Sequence, residues 1–131
     1  MIAVKDHEKY INGCLQKITD DVLNLLDSKV RQVLLRDPNS QSLNVLYTFQ
    51  KEEGQLAGQW VRKKLPTVID QLESAGYKVK HEVYFKRDPN SNYNTLVESI
   101  GFALFWGRAA VESTDEFEAL IHQWRMEDFV K

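Results

Sequence analysis

The side chains best suited to chemistry are three histidines and one cysteine, and they are widely separated in the sequence. His7, His81 and His122 lie tens of residues apart, and Cys14 has no second thiol to pair with. Zinc sites need Cys and His ligands at short, recurring spacings, and no such spacing occurs here. The six glycines also lack the spacing of a phosphate-binding loop. We therefore assign no catalytic residue, no metal ligand and no cofactor.

The sequence context of two histidines gives some support to the hypothesis that this protein is a small enzyme. His81 lies on the apolar face of a predicted strand, where burial would shift its pKa. His122 follows Glu118 by four residues and precedes Arg125 by three, on one face of a predicted helix. Buried histidines are usually just hydrogen-bonded, and Glu/His pairs at this spacing are ordinary surface features. An enzyme centred on His81 or His122 is therefore the second alternative, behind a non-catalytic role.

Charge is unevenly distributed along the chain, although the total is only −2. Residues 61–90 carry a net +3 and residues 91–131 a net −4. The small total excludes a wholesale electrostatic binder of nucleic acid but leaves room for a local basic surface. A nucleic-acid-binding or nucleic-acid-mimicking accessory protein is thus the first alternative. Its candidate contacts are Arg62, Lys63, Lys64, Lys78, Lys80, Tyr84 and Lys86. Trp60 is a separate candidate, as an aromatic side chain that could anchor a partner.

The first half of the chain predicts two helices around a strand. Apolar residues at steps of three and four predict a helix over residues 6–27, and residues 29–36 fit either a further helical turn or a short strand. Strict alternation predicts a strand over residues 43–49. A second helix is predicted over residues 55–75, kinked or divided at Pro66 and capped by Gly76.

The second half predicts two strands and a closing helix. Residues 77–87 show the clearest alternation in the chain, and residues 94–106 fit a strand in which Gly101 marks a bend or bulge. Ser113 and Glu116 have the spacing of a capping box, which begins a predicted helix that runs to about residue 129.

The pentapeptide Arg-Asp-Pro-Asn-Ser occurs at residues 36–40 and again at residues 87–91. Pro after Asp, followed by Asn, is typical of a turn, because Asp accepts from backbone amides further on and Pro presets φ. Two hairpins closed by these turns would give the order α-β-β-α-β-β-α. We therefore predict an α+β fold with a mainly antiparallel sheet of about four strands and three helices. Two similar turns explain the repeat better than an internal αββ duplication does, because turn residues come from a short list, and a pair of ligand-binding loops is the least favoured explanation.

These observations favour a single domain over residues 1–131 that acts without catalysis. The chain has 43% apolar residues, one cysteine and no apolar run long enough for a membrane span. We expect a soluble, cytoplasmic protein–protein interaction module, such as an adaptor, a chaperone-like protein or a regulatory accessory protein. A protein partner, including a second copy in a homodimer, is the expected ligand.

Overall fold

The computed structural model describes residues 1–87 and 95–111, and these residues form an α+β fold. Three strands, β1 (Ser42–Thr48), β2 (Lys78–Arg87) and β3 (Thr95–Phe105), make an antiparallel sheet in the order β1-β3-β2. Three helices, α1 (His7–Arg36), α2 (Gly54–Lys63) and α3 (Leu65–Ser74), pack against it. The predicted fold class is confirmed, but the sheet has three strands in the described residues, not four.

Helix α1 includes residues 29–36, whose sequence fits either a helix or a strand. Its buried stripe runs from Leu15 through Val22 to Val30, so the apolar spacing of the first turns persists towards the C-terminal end. The helix ends at Arg36, before Asp37 and Pro38, as expected for a residue pair that disfavours helix. The first predicted strand of the α-β-β-α-β-β-α order therefore does not exist, and its residues are helical.

Pro66 divides the second predicted helix into α2 and α3. The proline lies in the first turn of α3, where its missing N–H costs nothing, and Lys64 joins the two helices. Gly76 follows α3 with φ of 102°, a conformation that side chains rarely adopt. The predicted cap is confirmed.

The two copies of the pentapeptide have different structural contexts. Residues 36–40 connect α1 to β1, and Asp37 accepts a hydrogen bond from the backbone N–H of Asn39 at 3.0 Å, as predicted for the turn. Residues 88–91 of the second copy lie outside the described residues, between two antiparallel strands. A helix precedes the first copy and a strand precedes the second, so the structure does not support an αββ duplication.

The central strand β3 is buried on both sides. On the helix-covered face, Ile100, Phe102 and Leu104 join the main core with residues of β1 and all three helices. On the second face, Ala103 and Phe105 are also buried. The bulge predicted at Gly101 lies elsewhere in the same strand: Gly101 pairs regularly, and the extra residue is Glu98 of β3, opposite the step from Tyr84 to Phe85. The predicted closing helix at residues 113–129 lies outside the described residues.

Candidate docking edge of the sheet

The strand order leaves β1 and β2 as the two edges of the sheet. An edge strand turns the backbone N–H and C=O groups of every second residue away from its neighbour, where they can pair with another chain. Charged side chains, prolines and bulges prevent such pairing, and we call an edge with these features protected and an edge without them open.

The backbone of β1 turns its even-numbered residues outward. The Gln41 carbonyl accepts from the backbone N–H of Trp106, and the Phe49 N–H donates to the Glu98 carbonyl, both at 3.0 Å. These two bonds set the odd-numbered residues towards β3. The outward residues are Ser42, Asn44, Leu46 and Thr48. Within the described part of the chain, no hydrogen bond reaches their backbone groups from outside the sheet. Among the described residues, β1 thus presents a row of four residues whose outward backbone groups have no partner.

The side chains of β1 do not prevent another strand from pairing with these outward backbone groups. The segment Ser42–Thr48 contains no charged residue and no proline, and its pairing with β3 shows no register shift. Leu46, an outward residue, is 39% exposed. Natural sheets usually protect long edges with lysines, prolines or bulges, and β1 has none of these.

Strand β2, in contrast, carries the usual protection. Its pairing with β3 shifts register between Tyr84 and Phe85, where Glu98 of β3 is the extra residue. Five of its ten residues are charged: Lys78, Lys80, Glu82, Lys86 and Arg87. The sheet is therefore closed to further pairing at one edge and open at the other.

Aromatic side chains on the helix-covered face of β1 and just beyond its end pack the open edge against the core. Tyr47 and Phe49 are buried and meet edge to face, with ring centroids 5.1 Å apart. The Glu53 carboxylate accepts the backbone N–H of Gln50 at 2.7 Å and the Tyr47 hydroxyl at 3.4 Å. Burial raises the pKa of Tyr47, and the nearby Glu53 and Asp21 carboxylates raise it further. The edge is thus preorganised, which lowers the entropic cost of binding.

The basic residues proposed from sequence do not form one surface. Arg62 and Lys63 are exposed at the end of α2, on the helix-covered side of the sheet, and Lys64 is half-buried beside them. Lys78, Lys80 and Tyr84 pair with Phe105, Ala103 and Ser99, which puts them on the opposite face. These three side chains are half-buried, whereas Lys86 is exposed.

Trp60 belongs to the core, so the partner-anchoring role considered for it does not fit. Its side chain is 0% exposed, and its Nε1–H donates to the Thr19 hydroxyl at 2.9 Å. The Thr19 hydroxyl donates in turn to the Leu15 carbonyl at 3.2 Å. The indole is therefore fully satisfied inside the protein.

His81 lies on the helix-covered face of β2, as predicted, but at its exposed outer edge. It borders a groove of about 360 Å³ that also contains Leu65, Asp70 and Glu73. Partial burial lowers its pKa, the Glu82 carboxylate opposes this, and Lys80 adds to it. No carboxylate in the described residues hydrogen-bonds to the imidazole, so no oriented acid–base pair is present there. His122 lies outside the described residues.

No group of three or more potential metal ligands occurs in the part of the chain that the structure describes. Helices of the length and apolar character needed to cross a membrane are likewise absent from the described residues. In comparisons with protein-family models, curated proteins and solved structures, nothing matches this chain. The functional conclusion therefore depends on the geometry of the sheet.

Sequence patterns identified β1 as a strand but did not identify it as the exposed edge. The signal was present in composition, because residues 42–48 have no charge while residues 78–87 have five. That contrast becomes informative only when the strand order is known.

Proposed function

We propose that this protein is a non-catalytic protein–protein interaction module that binds its partner through the open edge of β1. One observation supports this most directly: the outward backbone of Ser42, Asn44, Leu46 and Thr48 is unprotected, while the opposite edge strand of the same sheet carries five charged residues. Selection against aggregation normally removes such an edge, so its retention indicates use.

Strand addition at this edge supplies both affinity and specificity. A partner strand would pair with four outward N–H groups and four outward C=O groups, and each backbone hydrogen bond contributes about 0.5–1.5 kcal/mol net. The exposed Leu46 side chain adds apolar surface beside this row. Binding in this mode needs no cofactor and no catalytic group.

The nucleic-acid alternative has weaker geometric support, because its basic residues are divided between the helix-covered face and the second face of the sheet. An acidic net charge of −2 also gives little long-range attraction for phosphates. We place the interaction in the cytoplasm, where a chain with one cysteine needs no disulfide.

The test compares two single-lysine variants, one at each edge of the sheet, both at exposed residues whose backbone groups face outward. Leu46→Lys adds a charge to the open edge, and His81→Lys adds one to an exposed outward residue of β2. Immobilised wild-type protein and both variants are exposed to a native lysate supplemented with purified free chain. We expect the bound protein, whether the chain itself or another, to fall at least tenfold with Leu46→Lys only. Equal retention by all three baits would contradict the proposal.

A further inference from the structure

We infer that the partner of the β1 edge is β1 of a second copy, paired antiparallel across a twofold axis. This inference rests on the proposed function and names the occupant of the same edge. The two sheets would join into one six-stranded sheet in which β2 forms both outer edges. Six strands is a common sheet size, and both remaining edges would then be the charged strand β2.

The charge pattern of β1 favours its own copy. A strand that pairs with an identical strand must avoid like charges directly opposite each other, since these destabilise the pair. The segment Ser42–Thr48 meets this condition because it has no charge at all. It offers no charge that would select a different, charged strand.

Geometry selects the register of the pair. With the twofold axis at Val45, Ser42 lies opposite Thr48 of the copy and Asn44 lies opposite its Leu46. All four outward residues of each strand are then paired, which gives about eight inter-strand hydrogen bonds. Moving the axis by one residue, to Asn44 or Leu46, leaves an outward residue of β1 without a partner within the strand.

The same register covers the apolar side chains that β1 leaves accessible. On the second face, the 39% exposed Leu46 would lie beside Asn44 of the copy. On the helix-covered face, the half-buried Leu43 would lie opposite Tyr47 of the copy. Helix α1 packs over β1, so the twofold axis would also bring the two α1 helices side by side. Backbone pairing and apolar burial thus favour the same arrangement.

The first experiment is sedimentation velocity at several concentrations. Wild-type protein and His81→Lys are expected to sediment as dimers, while Leu46→Lys weakens the dimer at least tenfold. Circular dichroism and the melting temperature of the dilute variants establish that each is folded. A wild-type monomer throughout the concentration range would overturn the inference, as would a dimer that Leu46→Lys leaves unchanged.

A cross-linking experiment tests the register and does not depend on the lysine variant. In a Cys14→Ala background, Asn44→Cys protein is mixed with Leu46→Cys protein that carries a size tag, and then oxidised. Residues directly opposite in a hydrogen-bonded pair have Cα atoms about 5.5 Å apart, within the range for a disulfide. We expect efficient cross-linking there and little between Asn44→Cys and Thr48→Cys, which are displaced by two residues. The reverse preference, or no cross-link in either mixture, would overturn the register.

The outcomes separate this inference from the proposed function. A monomer that still captures another protein in a Leu46-dependent manner would refute the second copy as the partner and support the docking edge. A dimer insensitive to Leu46→Lys, together with capture that is also insensitive, would refute both.

Discussion

At the scale of single residues, the bond between Trp60 and Thr19 is the clearest example of a buried polar group that the fold must satisfy. The Trp60 Nε1–H has one acceptor, the Thr19 hydroxyl on α1, and both side chains are buried. This bond joins α2 to α1 at residues 41 positions apart in sequence. It also accounts for the burial of a tryptophan in a helix whose other polar residues are two glutamines, an arginine and a lysine.

Replacing Thr19 by Val should therefore destabilise the protein by about 1–3 kcal/mol, because it leaves a buried indole N–H without an acceptor while preserving side-chain shape. The free energy of unfolding is measured in urea. Thr67→Val, at an exposed position of α3, is the matched control and should change stability by no more than about 0.5 kcal/mol. Trp60→Phe should cost less in the Thr19→Val background than in the wild type. Equal costs for the two Thr→Val changes would contradict this account.

At the scale of elements, local sequence patterns were sufficient wherever a residue's own neighbours decide its conformation. Alternation predicted β1 and β2, Pro66 predicted the division between α2 and α3, and Gly76 predicted the end of α3. The segment at residues 29–36 remained open because its apolar residues fit both periods, and the structure shows that continuity with α1 decides it. The identity of the edge strands could not be predicted, since strand order depends on contacts between distant segments.

Two glycines with opposite backbone requirements provide a test at this scale. Gly76 has φ of 102°, with nothing within 4 Å of an added Cβ, so Gly76→Ala introduces backbone strain without a clash. We expect a loss of about 1–2 kcal/mol. Gly13 is exposed within α1 and also has open space around it. Gly13→Ala should stabilise the protein by about 0.5–1 kcal/mol. Melting curves of the two variants that shift in the same direction would contradict the assignment of Gly76 as the helix cap.

At the scale of the whole molecule, the sheet is asymmetric in its protection. Strand β2 carries the charges, and the regularly paired strand β1 carries none. An uncharged β1 edge gives a monomer no evident advantage in stability. A twofold dimer would bury both uncharged edges and leave both charged edges at the outside of the joined sheet. The proposed dimer would therefore account for the distribution of charge among the strands.

Amide hydrogen exchange measured at two protein concentrations provides a residue-by-residue test of this explanation. The amides of Leu43, Val45 and Tyr47 face β3, so they should exchange slowly at every concentration. The amides of Asn44 and Leu46 face outward and would be bonded only in the proposed dimer. Their protection should therefore rise with concentration by mass action, at least tenfold from the monomeric to the dimeric range. In Leu46→Lys, the Asn44 amide should exchange rapidly throughout, while Val45 stays protected. If Asn44 and Leu46 exchange equally fast at both concentrations in the wild type, β1 does not pair with its copy. If both are slow at high dilution, the edge is already covered within one chain and the docking proposal fails.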